Sequence, residues 1–209
     1  VTELVFILDE SGSMEPLTTD TIGGFNSMLA KQKNETGNAL VTTVFFHNDS
    51  KIVHDRIDIK KVEPLTDKEY VPGGCTALID ALGDTITHIE KIHKYIKAED
   101  VPGKTLFIIS TDGEENASHK YTSDEIKQKI RHLQKNKNWD FIFLGANLDA
   151  VATAKSYGIE EENAVTFLND KKGVKLNYKV LESAISSYRN NKLCANWKEE
   201  IEADVKSRE

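Results

Sequence analysis

Fully apolar or β-branched runs alternate with amphipathic segments along this chain. The runs cover residues 4–8, 40–46, 106–109, 141–144 and 164–168. Uninterrupted runs of this kind are typical of strands that lie in a parallel sheet and are covered on both faces. The pattern therefore predicts five buried strands.

A sixth run differs, because its apolar and polar positions alternate. In residues 51–59 the apolar Val53, Ile57 and Ile59 alternate with the polar His54, Arg56 and Asp58, after a turn-forming cluster at residues 47–50. Such alternation is typical of a half-buried strand at a sheet edge, joined to its predecessor by a hairpin. We expect one antiparallel edge strand beside the strand at residues 40–46.

Apolar residues recur at helical spacing between the runs. They include Ile22, Phe25 and Leu29, then Ile79, Leu82, Ile86, Ile89 and Ile96, then Ile126, Ile130 and Leu133, and finally Leu181, Ala184, Ile185 and Tyr188. Thr122 and Glu125 form a capping-box pattern before the third group, and a short helix is expected around Val151 and Ala154. Strands alternating with helices predict a doubly wound α/β fold with helices on both faces of a mostly parallel, Rossmann-like sheet.

The length of 209 residues is enough for one substantial core. We assign residues 1–192 to a single domain. From Lys198 onwards the sequence is mostly charged, and residues 193–209 are predicted to be a charged helix end or a tail.

The formal net charge of −7 argues against a nucleic-acid or anionic membrane partner, since both favour a basic surface. Cys75 and Cys194 give no disulfide framework, which makes the reducing cytoplasm the expected location. The chain begins at Val1 without an initiator Met, so a removed signal or upstream segment stays an alternative. The sequence gives no indication of the oligomeric state.

The most distinctive polar stretch follows the first run directly. It reads D-E-S-G-S-M and supplies Asp9, Ser11 and Ser13. A carboxylate and two hydroxyls that alternate around a glycine turn could converge on one point at the carboxyl end of a strand. Hard oxygen ligands of this kind suit Mg²⁺, with Mn²⁺ and Ca²⁺ as alternatives.

Two further segments bring oxygen ligands to the same predicted edge. Thr76 follows a glycine-rich loop and precedes a helix, and Asp112 stands in a T-D-G sequence after a buried strand. These three segments, in this order, resemble the metal ion-dependent adhesion site of von Willebrand factor type A domains. The resemblance covers residues 2–168 and also implies that fold.

The resemblance implies that Ser11 and Ser13 bind the cation through their hydroxyls. Thr76 would bind directly or through water, while Asp9 and Asp112 would act largely through bound waters and hydrogen bonds. It also implies a non-enzymatic module that binds a protein, with a Glu or Asp of that partner completing the cation's shell. Glu10, Glu114 and Glu115 add negative charge beside these motifs, which favours a cation but opposes an acidic partner.

Two other functions remain open on the sequence. A Mg²⁺-dependent phosphoryl-transfer enzyme of the haloacid-dehalogenase type also places an Asp after its first strand, but its acid two residues later is here Ser11. The chain could instead be the binding subunit of an ATPase-associated assembly, since it carries no ATPase motif of its own.

Overall fold

A computed structural model describes residues 1–209 and contains one six-stranded sheet. The strands are β1 (Thr2–Asp9), β2 (Ala39–Phe46), β3 (Ser50–Asp58), β4 (Lys104–Thr111), β5 (Trp139–Gly145) and β6 (Ala164–Thr166). Their order is β3-β2-β1-β4-β5-β6, and only β3 is antiparallel to its neighbour. The predicted parallel sheet with one antiparallel edge strand is confirmed.

Six α-helices flank the sheet. They are α1 (Thr18–Lys33), α2 (Leu78–Tyr95), α3 (Ser123–Asn136), α4 (Ala150–Ser156), α5 (Lys171–Asn190) and α6 (Glu199–Arg208). The predicted capping box opens α3, where the Thr122 hydroxyl accepts from the Glu125 amide and the Glu125 carboxylate accepts from the Thr122 amide. No helix combines the length and the apolar character that crossing a bilayer would require.

The central strand β1 divides the core into two layers. Leu4, Phe6 and Leu8 pack with residues of α1 and α5 on one face, while Val5 and Ile7 pack with residues of α2 and α3 on the other. All of β1 is buried, because successive side chains of a strand point to opposite faces and both faces are covered.

The strand order reverses beside β1, and this reversal sets the position of the candidate site. From β1 the chain moves to β2 on one side and later returns to β4 on the other, with Leu8 of β1 paired to Ser110 of β4. The carboxyl ends of β1 and β4 are therefore neighbours, at the place where ligands bind in open α/β sheets.

The last part of the chain differs in detail from the sequence expectation. Strand β6 ends at Thr166, two residues before the expected end. The Phe167 amide still donates to the Gly145 carbonyl of β5, and the chain then turns into α5. Residues 199–208 form a separate helix whose charged sequence shows little apolar periodicity.

Helix α6 is attached to the domain at its start. Trp197 and Ile201 are buried in the core layer under α1 and α5. The Trp197 indole donates to the Glu162 carbonyl at 2.9 Å, and the Lys198 ammonium donates to the Ala164 carbonyl at 2.9 Å. These contacts lie beside β6, an edge strand that would otherwise present unpaired backbone groups. The division between residues 1–192 and 193–209 stays a prediction.

Candidate cation site

Asp9 joins the turn after β1 to the end of β4. One carboxylate oxygen accepts from the Ser11 amide at 2.7 Å, and the other accepts from the Thr111 hydroxyl at 2.7 Å and the Asp112 amide at 3.3 Å. Asp9 is almost fully buried. Its carboxylate therefore fixes the two segments relative to each other rather than standing free at the surface.

Three oxygen atoms converge beside this junction. The Ser11 and Ser13 hydroxyl oxygens lie 3.1 Å apart, and Asp112 Oδ1 accepts from Ser13 at 2.9 Å and from Ser11 at 3.4 Å. Ser11 and Asp112 are buried, whereas Ser13 is exposed. The cluster is thus rigidly held on the protein side and open to solvent at Ser13.

The loop that carries Thr76 adjoins this cluster through its backbone. The Gly12 amide donates to the Gly74 carbonyl at 3.1 Å, and the Gly73 amide donates to the Glu10 carbonyl at 2.9 Å. Thr76 itself is buried, and its hydroxyl makes no hydrogen bond to the other four predicted site residues. The structure therefore brings Asp9, Ser11, Ser13 and Asp112 into one network and places Thr76 in the adjacent loop.

Asn116 holds Thr76 in place. Its side-chain oxygen accepts from the Thr76 amide at 2.9 Å, and its own amide donates to the Thr76 carbonyl at 3.0 Å. Asn116 follows Asp112 in the same loop, so this pair of hydrogen bonds links the second and third motif segments.

Gly74 is required by the shape of the loop. It adopts a φ of +74°, which favours glycine, and a Cβ there would collide with the Asn48 side-chain oxygen. That oxygen already accepts from the Cys75 amide at 2.9 Å. Glycine at this position therefore allows the Asn48 side chain to approach the loop that carries Thr76 and to accept its hydrogen bond.

Glu10 has a structural role that the sequence did not indicate. Its carboxylate is buried, accepts from the Val71 amide at 3.0 Å and pairs with the Lys51 ammonium at 3.1 Å. The negative charge of Glu10, which is expected to oppose an acidic partner, is thus largely balanced by Lys51.

Glu115 is also occupied internally. Its carboxylate accepts from the Ile79 amide at 2.8 Å, in the first turn of α2, and from the Ser118 and Ala117 amides at 2.6 and 2.9 Å. A carboxylate at a helix N-terminus satisfies amides that have no partner within the helix. Of the three added glutamates, only Glu114 is exposed.

Asp80 fixes the far end of the same loop. Burial opposes its ionisation, but backbone hydrogen bonds from His119, Tyr121 and Lys120 outweigh it and hold the pKa of the Asp80 carboxyl below its ordinary value. The segment between Asp112 and α3 is therefore tied to α2 at both ends.

Three residues outside the predicted ligand set contact the site. Asn169 donates to Asp112 Oδ2 at 3.0 Å, Asn147 donates to the Asp112 carbonyl at 2.8 Å, and the Tyr70 hydroxyl donates to the Asp9 carbonyl at 2.7 Å. Asn147 follows β5 and is expected from the sequence to lie at this rim, with a solvated turn and a contact as equal alternatives. Asn169 follows β6, and its place after a strand at the same sheet edge is the signal that could have identified it. Tyr70 lies in an irregular segment and gives no such signal.

The two buried carboxylates make the site suited to a positive charge. Burial raises the pKa of Asp9, and the charge of Asp112 raises it further, while hydrogen bonds from Ser11 and Thr111 oppose the change. An ion placed between these groups would offset both unfavourable effects.

The donor set fits a hard divalent cation. It consists of hydroxyl and carboxylate oxygens, and the protein has no group of three or more His, Cys, Asp and Glu side chains that could hold a metal ion. The Ser11 and Ser13 hydroxyl oxygens lie 3.1 Å apart, which is close to the separation of about 2.9 Å between neighbouring ligands in an octahedral Mg²⁺ shell.

Neither the models of known protein families nor the curated proteins match this sequence. Solved structures do match its fold. A von Willebrand factor type A protein from Catenulispora acidiphila superposes with a TM-score of 0.59 at 16% identity, covering 89% of this chain and 43% of that one.

Two further structures extend the comparison. The ArnB paralog VWA2 from Sulfolobus acidocaldarius gives a TM-score of 0.55 at 17% identity over 88% of this chain and 44% of its own. Proximal thread matrix protein 1 of the mussel byssus, with zinc in its metal ion-dependent adhesion site, gives 0.56 at 16% identity over 88% and 46%. This chain spans less than half the length of these structures, and at such identities the likeness establishes the fold.

Proposed function

Because the chain has the fold of von Willebrand factor type A domains, we propose that it is a divalent-cation-dependent protein-binding module. The observation that carries the proposal is the convergence of the Ser11 and Ser13 hydroxyls on the Asp112 carboxylate at the switch point of the sheet. The zinc-occupied site reported for the mussel protein supports the same use of this fold.

Ser11 and Ser13 would hold the cation through their hydroxyls, with Thr76 bound directly or through water. Asp9 and Asp112 would act from the second layer, through hydrogen bonds and water. The three hydrogen bonds that Asp9 accepts from Ser11, Thr111 and Asp112 support this division, because they leave it little capacity for a ligand of its own.

Mg²⁺ is the preferred cation in this proposal, with Mn²⁺ and Ca²⁺ as alternatives. Bound by neutral hydroxyls, the ion would stay electron-poor and offer an exchangeable position to an anionic oxygen. We propose that a Glu or Asp of a partner protein supplies that oxygen. The pairing of Glu10 with Lys51 supports an acidic partner, because it removes one repulsive charge near the rim.

The hydrogen bonds that Asp9 accepts favour a binding function over phosphoryl transfer. A nucleophilic carboxylate needs a free oxygen aimed at the substrate, yet both oxygens of Asp9 accept hydrogen bonds from the protein. The position two residues later, where the phosphatase acid would stand, is Ser11 with its hydroxyl directed to Asp112.

A cytoplasmic location belongs to the same proposal. Cys75 and Cys194 are both free and exposed, a state that a reducing compartment preserves.

The proposal is tested by affinity capture from the native host in Mg²⁺ and in EDTA. The bait is the wild-type chain, Ser13→Ala is the site variant, and Ser27→Ala on the exposed surface of α1 is the matched control. A partner recovered by the wild type and by Ser27→Ala in Mg²⁺, and lost with EDTA or Ser13→Ala, is the expected result. Recovery that survives both chelation and Ser13→Ala would contradict the proposal.

A further inference from the structure

A second recess lies at the amino ends of the strands, whereas the candidate cation site lies at their carboxyl ends. It is a groove of about 640 Å³ between the end of α2, the end of α3 and the first residue of β5, Trp139. The candidate cation site follows the carboxyl ends of β1 and β4, whereas this groove adjoins the amino end of β5. The two recesses are therefore separated by the length of the strands.

The groove has an apolar floor and an exposed aromatic wall. Leu133 and Trp139 are buried at its base, while Tyr95 at the end of α2 is 72% exposed. The Lys94 ammonium lies 5.4 Å from the centre of the Tyr95 ring. Exposed aromatic side chains beside an apolar recess are typical of protein-binding surfaces, where tyrosine and tryptophan contribute strongly.

The rim of the groove is positively charged. Lys91, Lys94 and Lys137 line it, are exposed and have no ion pair or side-chain hydrogen bond. The one carboxylate on the rim, Glu90, is neutralised by Lys129 at 3.3 Å.

The carboxylate beneath the groove is neutralised as well. Glu3 is buried and pairs with Arg56 at 2.5 Å and with His93, a lining residue, at 2.6 Å. The groove thus presents three free ammonium groups on a protein whose formal net charge is −7.

We propose that this groove binds an acidic peptide segment of a partner protein, with one aromatic or large aliphatic residue inserted between Tyr95 and Trp139 and flanking carboxylates at the three lysines. Charge complementarity selects such a segment. An extended polyanion such as nucleic acid would meet the negative charge on the rest of the surface. Binding here does not depend on the cation site, so the domain can hold two partners at once.

The test uses fluorescence anisotropy of a labelled peptide with a central tryptophan and three glutamates on each side. A matched peptide carries lysines in place of the glutamates. The site variant is Lys94→Glu with Lys137→Glu, and the charge-matched control is Lys68→Glu with Lys155→Glu, at exposed lysines elsewhere. Tyr95→Ala tests the apolar contact, and circular dichroism checks that each variant folds.

The expected result is micromolar binding of the acidic peptide, as for a small transient interface, weakened roughly tenfold by the site variant and by Tyr95→Ala. The charge-matched control, EDTA and Ser13→Ala leave it unchanged, so failure here is distinct from failure at the cation site. No binding at about 1 mM peptide, equal binding of the lysine peptide, or equal loss in the control variant would overturn the proposal. Lysine-dependent self-association, or binding to anionic lipid vesicles in place of the peptide, would overturn it too.

Discussion

The side-chain amide of Asn169 donates a hydrogen bond to Oδ2 of Asp112 at 3.0 Å. The other oxygen of Asp112 accepts from Ser13 at 2.9 Å, so both oxygens of this carboxylate have protein partners. Asn169 stands between β6 and α5. The segment that leads into α5 is therefore attached directly to the candidate cation site.

Replacing Asn169 by alanine is expected to weaken cation binding about fivefold, because the loss of one hydrogen bond to a positioned charge costs about 1 kcal/mol. Asn163→Ala, just before β6 at the other edge of the sheet, is the control and should leave the affinity unchanged. Calorimetric titration of Mn²⁺ measures both. Equal Mn²⁺ affinities for Asn169→Ala and Asn163→Ala would show that Asn169 does not contribute to cation binding.

Asn116→Ala is expected to loosen the Thr76 loop without unfolding the domain. The variant removes the side-chain oxygen that accepts from the Thr76 amide, and buried amides without a partner open more readily. Hydrogen exchange at the Thr76 amide should become faster, while exchange in β1 stays the same. Exchange at Thr76 that does not change would show that the loop is held by other contacts.

Neighbouring glycines in α1 should respond in opposite ways to alanine. A Cβ at Gly24 would collide with the Tyr178 ring of α5, whereas a Cβ at Gly23 meets nothing within 4 Å. Gly24→Ala is expected to destabilise the protein by about 1–3 kcal/mol. Gly23→Ala is expected to stabilise it by about 0.5–1 kcal/mol through helix propensity. Urea unfolding of the pair measures the difference, and equal shifts would contradict the close packing of α1 on α5.

The fold could be predicted from sequence because its signals are local. Fully apolar runs such as residues 106–109 identify strands covered on both faces, and the alternation around Val53 identifies the edge strand. The three motif segments could also be placed at one edge, because the carboxyl ends of parallel strands share it.

The remaining features depend on contacts between distant parts of the chain. Nothing near Glu10 shows that Lys51 balances its charge, and nothing near Tyr70 shows that it binds the Asp9 carbonyl. Helix α6 is mostly charged, and its position depends on Trp197 and Ile201 reaching the core rather than on a pattern within the helix.

Glu3 is expected to contribute stability that acid removes. Burial opposes its ionisation, but hydrogen bonds from His93 and Arg56 outweigh it, and the pKa of the Glu3 carboxyl lies below its ordinary value. A lowered pKa favours the ionised, folded form, so this stability is complete above the ordinary glutamate pKa and is lost as the pH falls through the lowered one.

Glu3→Gln tests this coupling. The variant leaves the part-buried Arg56 without its partner, and the expected cost at neutral pH is about 3 kcal/mol. The difference from the wild type should shrink as the pH falls through the lowered pKa of Glu3, below the ordinary glutamate value. Urea unfolding across this range measures it, and a difference that is independent of pH would contradict the assignment.

The proposed function depends most on whether a divalent cation binds at the oxygens of Asp9, Ser11, Ser13, Thr76 and Asp112. Calorimetric titration of Mg²⁺ and Mn²⁺ into the wild type, Asp9→Ala, Ser13→Ala and the control Ser27→Ala tests this directly. We predict one site in the wild type and in Ser27→Ala, with affinity at least about tenfold lower in the two site variants. Equal affinity in the wild type and both site variants would contradict the assignment.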